Sequence, residues 1–253
     1  MITTTLLGYT FVNESIDFFI DQLPGILRKP GFHLIATLNP EIIVRAKSES
    51  FAEALIRKSI CVADGTGLVM AARIRLRQKL HKITGMELVL RLLAQERYSF
   101  YWVGAQPEVI EKAVEQTQKD FPKSDIKGYH HGFFSTEDER CILEDIERTR
   151  PDFILVGMGF PKQELFLQKV SQQVHYGIGI GIGGVFDVLS HTKKRAPKLI
   201  RTLGLEWVFR GLIEPKRIRR WGVIPRFAWD VIFKPTQRYC SSKESHSEKE
   251  LDE

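Results

Sequence analysis

Short apolar runs alternate with amphipathic segments along most of the chain. The runs Ile60–Ala63, Phe100–Val103 and Phe153–Val156 are typical of strands buried in a sheet. Between such runs, apolar residues recur at helical spacing. This alternation of strands and helices predicts an α/β fold in which helices cover both faces of a mostly parallel sheet, with right-handed crossovers.

The pattern near the amino terminus predicts one strand and one helix. Leu6–Tyr9 has the composition of a first strand, and Asn13 or Ser15 is suited to cap the helix that follows. Pro24 and Gly25 mark the loop in which we expect this helix to end. The apolar positions of the helix are Ile16, Phe19, Ile20 and Leu23.

The stretch Ile60–Gly67 combines a buried strand with candidate chemistry. The strand ends at Asp64, and Gly65 and Gly67 follow before the next helical pattern. Because ligands of open α/β sheets bind outside the carboxyl ends of the strands, Asp64 is expected at a binding crevice, where Gly65 and Gly67 would let a substrate approach the backbone. A carboxylate there can take a proton from a substrate hydroxyl, or it can cap the next helix, and spacing leaves both interpretations open.

Two polar residues close a second predicted strand. His33–Thr37 has a strand pattern, and Asn39 precedes Pro40, a residue suited to the first turn of a helix. Thr37 and Asn39 therefore lie at a strand end, where they can contact a substrate or cap the helix.

A glycine-rich segment, Gly179–Gly184, satisfies the GxGxxG pattern of dinucleotide-binding folds. Such a site also needs an acidic residue at the end of the next strand, and Glu206 has the expected separation. However, Lys193–Pro197 interrupts the intervening segment, and Glu206 lies in a helical pattern. The sequence therefore disfavours a hydride-transfer cofactor, and the glycines fit a strand and loop against which a nucleotide lies.

Composition narrows the class of protein. The chain has 253 residues, of which 43% are hydrophobic and 27% charged, as expected for one globular domain with a core. Cys61, Cys141 and Cys240 are far apart and lack CxxC spacing, which argues against a disulfide framework or a zinc site and for a reducing compartment. We expect no signal peptide and no membrane-spanning segment.

The net charge of +6 is concentrated near the carboxyl terminus. The segment Arg195–Arg238 contains three acidic residues and eleven basic ones, a net charge near +8. We therefore expect a core over residues 1–194, a basic appendage over 195–240 and a disordered tail over 241–253. Such a basic region fits a phosphate-bearing ligand, an anionic membrane or a nucleic acid, and the aromatic and basic residues of Trp221–Phe233 suit a helix lying at a membrane surface.

Eight motifs occur in the order and at the spacing of one known family. They are Thr37–Glu41, Ala63–Gly67, Ile83–Gly85, Gly157–Glu164, Gly183–Asp187, Lys194–Pro197, Leu203–Trp207 and Glu214–Arg217. Over roughly residues 5 to 235 the chain resembles the WecG/TagA/CpsF family of bacterial glycosyltransferases, glycosyltransferase family 26.

The resemblance implies an inverting, metal-independent transferase with a Rossmann-like core and no cofactor. It would move a sugar, N-acetylmannosamine in the best-known members, from a UDP-sugar donor to polyprenyl-diphosphate-linked N-acetylglucosamine. This implies synthesis of cell-surface polysaccharide or teichoic acid, in the cytoplasm and peripherally at the inner face of the cell membrane. UDP-glucose and UDP-N-acetylmannosaminuronic acid are the alternative donors, and a homo-oligomer stays open.

The resemblance also assigns roles by position. Asp64 would be the general base, and Thr37 and Gln163 would act beside the reacting sugars. The substrate-binding positions would be Asn39, Gly65, Gly104, Gly157, Gly159, Asp187, Arg210, Arg217 and Arg220. Among these, Asp187 would meet the nucleotide ribose, the glycines at 104, 157 and 159 would line the nucleotide cleft, and the arginines would contact the diphosphate.

The absence of a DxD-type acidic pair at a strand end agrees with this division of roles. Many such transferases hold the leaving diphosphate through a metal ion, but the fixed charge and planar fork of arginine can replace it. Ser190–His191 departs from the Ala-Gly or Thr-Gly of many members. Thr37 matches the N-acetylmannosaminyl branch, whereas the uronic-acid branch more often has Asn.

Two other classes of protein compete with this interpretation. One is an oxidoreductase acting on nucleotide sugars, which the interrupted GxGxxG segment disfavours. The other is a nucleic-acid-binding module that uses the basic appendage. The second alternative leaves the glycine-rich strand ends unexplained, so we expect no nucleic-acid partner.

Overall fold

The computed structural model describes residues 1–193, 196–197, 200, 209, 211 and 222–233. These residues contain one eight-stranded sheet with the order β1-β2-β4-β3-β8-β7-β5-β6, in which only the β1–β2 pair is antiparallel. The strands are β1 (Thr3–Leu6), β2 (Tyr9–Val12), β3 (His33–Leu38), β4 (Ile60–Ala63), β5 (Ser99–Gly104), β6 (Asp125–His130), β7 (Phe153–Gly157) and β8 (Ile178–Gly181).

Ten helices are present among the described residues. They are α1 (Ile16–Leu27), α2 (Pro40–Ala46), α3 (Ser50–Lys58), α4 (Thr66–Leu76), α5 (Gly85–Leu93), α6 (Pro107–Asp120), α7 (Thr136–Thr149), α8 (Lys162–Gln173), α9 (Val185–Leu189) and α10 (Val223–Phe233). Together with the parallel sheet, they confirm the predicted α/β fold, which is consistent with a Rossmann-like core.

The strand residues alternate between the two faces of the sheet. Phe153 and Leu155 of β7 join a core cluster with α1, α5, α6 and α9, whereas Ile154 and Val156 join a cluster with α7 and α8. A third cluster packs α2, α3, α4 and α10 against β2 and β4. Because side chains of a strand point to opposite faces in turn, both faces of this sheet are covered by helices, as predicted.

Two sequence predictions near the amino terminus are wrong. Leu6–Tyr9 is not one strand, because Leu7 and Gly8 form the turn of a hairpin between β1 and β2. Both residues have positive φ, 53° and 85°, as two-residue hairpin turns require. Helix α1 does not end at Pro24 but continues to Leu27.

Helix α10, the longest described stretch of the predicted appendage, packs on the core. Helix α10 buries Phe227 and Val231 against α2 and α4. Asp230 forms an ion pair with Lys47 at the end of α2, and Arg75 Nη1 of α4 donates to the Val231 carbonyl oxygen at 2.5 Å. The described part of the chain contains no helix that combines the length and the apolarity needed to cross a membrane.

The sheet has a topological switch point between its neighbouring strands β3 and β8. After β3 the chain moves to β4, which lies on one side of the switch point in the strand order. After β8 it enters α9, which packs against α6, the helix between β5 and β6 on the other side of the switch point. Connections that diverge in this way open a crevice at the carboxyl ends of the two strands, the usual place for a ligand in an open α/β sheet.

Candidate active site

The strand register brings most of the predicted core site residues to one edge of the sheet. Leu38 pairs with Ala63, so that Asn39 and Asp64 follow at the same level. On the other side of the switch point, Gly104 pairs with Gly157. These positions therefore border one crevice, although they are separated by up to 118 positions in the sequence.

Asp64 lies at the open part of this crevice. Its side chain is half-buried, and its backbone N–H donates to the Leu38 carbonyl oxygen at 2.7 Å, which ties β4 to β3. The N-cap position of α4 is Gly65, with φ of 97° and no side-chain cap hydrogen bond. Apart from Gly65 itself and the residues adjacent to it, no atom of the described residues lies within 4 Å of where a Gly65 Cβ would be. Asp64 thus directly precedes a helix amino terminus, which favours negative charge.

Thr37 and Gln163 meet at Gly181. Thr37 Oγ1 donates to the Gly181 carbonyl oxygen at 2.6 Å, so this hydroxyl joins β3 to β8 and does not cap α2. Gln163 is 3% exposed, and its Oε1 accepts from the Gly183 N–H at 3.1 Å. Its Nε2 donates to Glu164 Oε1 at 2.9 Å and would lie 2.6 Å from a Cβ at Gly181. Only glycine leaves room for the amide there.

Asn39 has the capping role that the sequence left open. Its Oδ1 accepts from the Ile42 N–H at 3.0 Å, and Pro40 occupies the first turn of α2. Pro40 also lies against α4, since its Cγ would be 2.6 Å from a Cβ at Gly67. The cap uses the amide oxygen of Asn39 and leaves its amide nitrogen out of that interaction. The starts of α2 and α4 are therefore held together beside Asp64.

The three glycines assigned to the nucleotide cleft differ in their surroundings. A Cβ at Gly104 would lie 2.5 Å from the Gly157 carbonyl group, and one at Gly157 would lie 2.7 Å from Phe186 and 2.8 Å from the Gly183 carbonyl oxygen. Gly159 has φ of 75°, and no atom of the described chain lies within 4 Å of its Cβ position. Gly104 and Gly157 thus let strands and α9 pack closely, whereas Gly159 borders open space.

Asp187 lies in the first turn of α9 and forms an ion pair with Lys193, with Oδ1 and Nζ 3.1 Å apart. The Asp187 carbonyl oxygen also accepts hydrogen bonds from Ser190 Oγ, Thr192 Oγ1 and the Lys193 N–H. Ser190, the residue that departs from the family pattern, therefore closes this turn. Arg210, Arg217 and Arg220 lie outside the described residues.

The GxGxxG segment does not form a dinucleotide-binding turn. The space beside Gly179 is filled by Leu167 and two other apolar side chains, and that beside Gly181 by Gln163. The following helix, α9, has only five residues. Gly179 and Gly181, the strand glycines of this segment, therefore have no free space beside their backbone for a ligand. This corrects the expectation that a nucleotide lies along them. Gly183, in the loop, borders open space among the described residues.

Sequence reasoning missed two side chains that shape the crevice. Arg45 of α2 stacks over the Phe160 ring at 5.0 Å, donates to the Phe160 carbonyl oxygen at 3.3 Å and pairs with Glu41 at 2.9 Å. It thereby holds the loop before α8 against α2. Glu164 is 8% exposed, and burial raises the pKa of its carboxyl group. An acidic residue in the first turn of a helix is ordinary on the surface, so no local pattern indicates that this one is buried.

The motif Ile83–Gly85 joins the end of β4 to the start of α5. The Ile83 N–H donates to the Ala63 carbonyl oxygen at 3.0 Å, and Thr84 caps α5 by accepting from the Glu87 N–H at 3.2 Å. A Cβ at Gly85 would lie 3.6 Å from Thr37 Cγ2. The amino terminus of α5 therefore lies over Thr37 at the crevice.

No group of three or more His, Cys, Asp or Glu side chains within the described ranges is arranged to hold a metal ion. The cationic side chains of Arg45 and Lys193 near the crevice are each paired with a carboxylate. The described site thus offers the half-buried Asp64 at the strand edge, with Asn39 at the same level and Thr37 on the neighbouring strand. This arrangement suits proton transfer from a bound hydroxyl group.

Comparison with known proteins agrees with this geometry. The model of the glycosyl transferase WecG/TagA/CpsF family matches residues 4–241. Curated relatives named N-acetylglucosaminyldiphosphoundecaprenol N-acetyl-beta-D-mannosaminyltransferase include that of Staphylococcus aureus strain NCTC 8325 / PS 47, which is 35% identical over 233 residues, 89% of this chain and 91% of the relative. The protein of strain MRSA252 is 36% identical over the same shares. The chain therefore belongs to the WecG/TagA/CpsF family of glycosyltransferases.

Proposed function

We propose that this protein transfers N-acetylmannosamine from a UDP-sugar to N-acetylglucosamine carried on diphosphoundecaprenol. Membership of the family and the names of the relatives support the reaction class and the acceptor. The observation that carries the proposal is the position of Asp64. Asp64 follows β4 at the switch-point edge of the sheet, level with Asn39 and directly before Gly65.

In the proposed reaction Asp64 takes the proton of the acceptor hydroxyl. The hydroxyl oxygen forms a bond to the anomeric carbon of the donor while the bond from that carbon to the diphosphate breaks, and UDP leaves with the electron pair. One displacement of this kind inverts the anomeric configuration. Thr37 and Gln163, fixed on Gly181, position the sugars beside the carboxylate.

The leaving diphosphate needs positive charge. We assign this to Arg210, Arg217 and Arg220 of the basic segment, because guanidinium groups match phosphate oxygens and stay charged. Asp187 would accept from the ribose hydroxyls, and its ion pair with Lys193 holds its side chain in place. The open side of Gly159 gives the nucleotide access to the backbone.

The experiment offers a panel of donors to the full-length protein. UDP-N-acetylmannosamine, UDP-glucose and UDP-N-acetylmannosaminuronic acid are each incubated with lipid-diphosphate N-acetylglucosamine in the presence of a chelator. We expect a disaccharide from the first donor, with the anomeric configuration opposite to that of the donor. In Asp64→Asn we expect turnover to fall about 10²- to 10⁴-fold, the usual contribution of a general base, with unchanged thermal unfolding.

Asp17→Asn is the matched control. Asp17 lies in the first turn of α1, and its ion pair with Arg91 is exposed, so this substitution removes a carboxylate near a helix start without touching the crevice. Full turnover in Asp64→Asn would remove Asp64 from the role of base. Product from UDP-glucose alone would replace the donor, and no product from any donor would reject the reaction.

We also propose that the protein works at an anionic membrane surface, on the cytoplasmic side where its lipid-linked acceptor would lie. Trp229, Ile232 and Phe233 of α10 are exposed, and Met70 and Ile74 of the adjacent helix α4 are exposed as well. Exposed apolar groups on two neighbouring helices, beside a basic segment, fit docking into lipid headgroups. This surface supports the interfacial helix expected from Trp221–Phe233.

Vesicle sedimentation tests the surface. We expect the double variant Trp229→Ser/Phe233→Ser to lose most binding to vesicles containing phosphatidylglycerol and to lose activity on the lipid-linked acceptor. Phe18→Ser/Phe133→Ser is the matched control, because Phe18 and Phe133 are 57% and 60% exposed, as Phe233 is at 60%, but lie on α1 and after β6. Equal binding by both double variants would reject α10 as the docking element.

A further inference from the structure

The side-chain amide of Gln163 is fixed at both of its ends. Its Oε1 accepts from the Gly183 N–H at 3.1 Å, and its Nε2 donates to Glu164 Oε1 at 2.9 Å. An amide oxygen only accepts and an amide nitrogen only donates, so these two partners distinguish the ends of the group. Rotating the amide by half a turn would place two donors against each other at Gly183, and two acceptors against each other at an ionised Glu164.

A buried carboxyl group at position 164 is energetically unfavourable. It is 8% exposed, and its Oε2 is buried with no hydrogen-bond partner among the described residues. A buried polar atom without a partner costs free energy, and a buried charge without one costs more. An apolar side chain of similar size would avoid both costs at this helix position. Among the described residues, the hydrogen bond that Glu164 accepts from Gln163 is therefore the contact that an apolar side chain could not make.

We propose that Glu164 is a positioning residue, whose carboxyl oxygen Oε1 holds the Gln163 amide in the orientation needed beside Thr37 and the reacting sugars. This inference rests on the proposed function, because that function places Gln163 at the reacting sugars. Gly181 supports the arrangement from the opposite side, since a Cβ there would displace the Gln163 Nε2. Thr37, bonded to the Gly181 carbonyl oxygen, is held by the same residue.

The hydrogen bond is compatible with both protonation states of Glu164. Burial raises the pKa of the Glu164 carboxyl group, and the hydrogen bond from Gln163 opposes that shift, followed by the smaller effect of the Arg45 charge. Arg45 is already engaged with Glu41 and with the Phe160 carbonyl oxygen. A neutral carboxyl group keeps a carbonyl oxygen that accepts from Gln163, so the hydrogen bond does not require the charge.

Two substitutions separate the hydrogen bond from the charge. Glu164→Gln keeps an acceptor oxygen and cannot ionise, whereas Glu164→Leu removes both. We expect kcat for sugar transfer to stay within about threefold in Glu164→Gln and to fall about tenfold in Glu164→Leu, with KM for the donor changed less than kcat. Glu164→Met, of similar length, takes the place of Glu164→Leu if the latter does not fold.

A readout without turnover tests the same contact. The Nε2 protons of Gln163, assigned by their loss in Gln163→Leu, give signals in a ¹⁵N–¹H spectrum of the full-length protein. We expect these signals to shift and to exchange faster with water in Glu164→Leu, and to stay near their native positions in Glu164→Gln. Thr117→Val, which removes another buried hydrogen-bonding group without a partner among the described residues, should leave them unchanged.

The outcomes distinguish this inference from the proposed function. Native Gln163 signals and native kcat in Glu164→Leu would overturn the positioning role, even with transfer intact. Equal loss of kcat in Glu164→Gln and Glu164→Leu would show that the charge, and not the hydrogen bond, matters. Absence of transfer by the native protein would reject the proposed function, while the spectra would still decide whether Glu164 fixes the amide.

Discussion

The crevice has a packed part and an open part, and glycines occur in both. In the packed part the protein itself fills the space beside glycine, with Phe186 against Gly157 and the Gln163 amide against Gly181. In the open part, apart from each glycine and the residues adjacent to it, no atom of the described chain lies within 4 Å of the Cβ positions of Gly65 and Gly159. The same residue type therefore serves close packing in one place and ligand access in the other.

This difference changes how the predicted glycines are interpreted. The resemblance placed Gly104, Gly157 and Gly159 together along the nucleotide cleft, and only Gly159 borders open space. Gly104 and Gly157 instead allow β5, β7 and α9 to approach one another, which sets the width of the crevice. A ligand contact is proposed for the open positions, and a shaping role for the packed ones.

Alanine at Gly157 and at Gly159, two residues apart, should affect stability differently. In Gly157→Ala the new methyl group meets Phe186 and the Gly183 carbonyl oxygen, so we expect the free energy of unfolding to fall by about 3 kcal/mol. In Gly159→Ala it meets open space, and only the positive φ of 75° opposes it, at a cost of about 1 kcal/mol. Urea unfolding measures both values.

The loss of affinity for UDP should be larger in Gly159→Ala than in Gly157→Ala, which is the opposite of the order for stability. Measured by calorimetry at a temperature where both are folded, the affinity should fall more in Gly159→Ala, because its methyl group enters the space assigned to the nucleotide. Equal losses of stability in the two variants would contradict the division into packed and open parts. Native UDP affinity in Gly159→Ala would remove that glycine from the proposed nucleotide cleft.

Much of the fold follows from local patterns in the sequence. Apolar runs predicted β4, β5 and β7, and Asn39–Pro40 predicted the start of α2. The failures arise where tertiary packing overrides a local signal. Pro24 lies inside α1, where Leu23 and Ile26 are buried in the core on either side of it, and the Leu7–Gly8 turn interrupts a run that otherwise has the composition of a strand.

The sequence predicts the open part of the site better than the packed part. Asp64 stands out in the sequence because it ends an apolar run and is followed by glycines, so its place at the strand edge was foreseen. The partners of Gln163 were not, because Gly181 and Gly183 are about twenty residues away and meet it only through the packing of α8 on β8. The burial of Glu164 depends on the same packing and leaves no trace in the local pattern.

The smallest expected effect concerns the charge of Glu164 in the packed part. Because burial raises its pKa above the ordinary value of 4.5, the folded protein holds this proton at pH values where the unfolded chain releases it. The proton on Glu164 therefore adds its full contribution to the free energy of unfolding below about pH 4.5. This contribution is lost as the pH rises towards the folded-state pKa, with a slope of at most about 1.4 kcal/mol per pH unit.

Glu164→Gln has no proton to lose. In urea unfolding at about pH 4.5, 6 and 8, the stability of Glu164→Gln relative to the native protein should rise with pH and then level off. Parallel curves for Glu164→Gln and the native protein would mean that the folded protein does not raise the pKa of this carboxyl group.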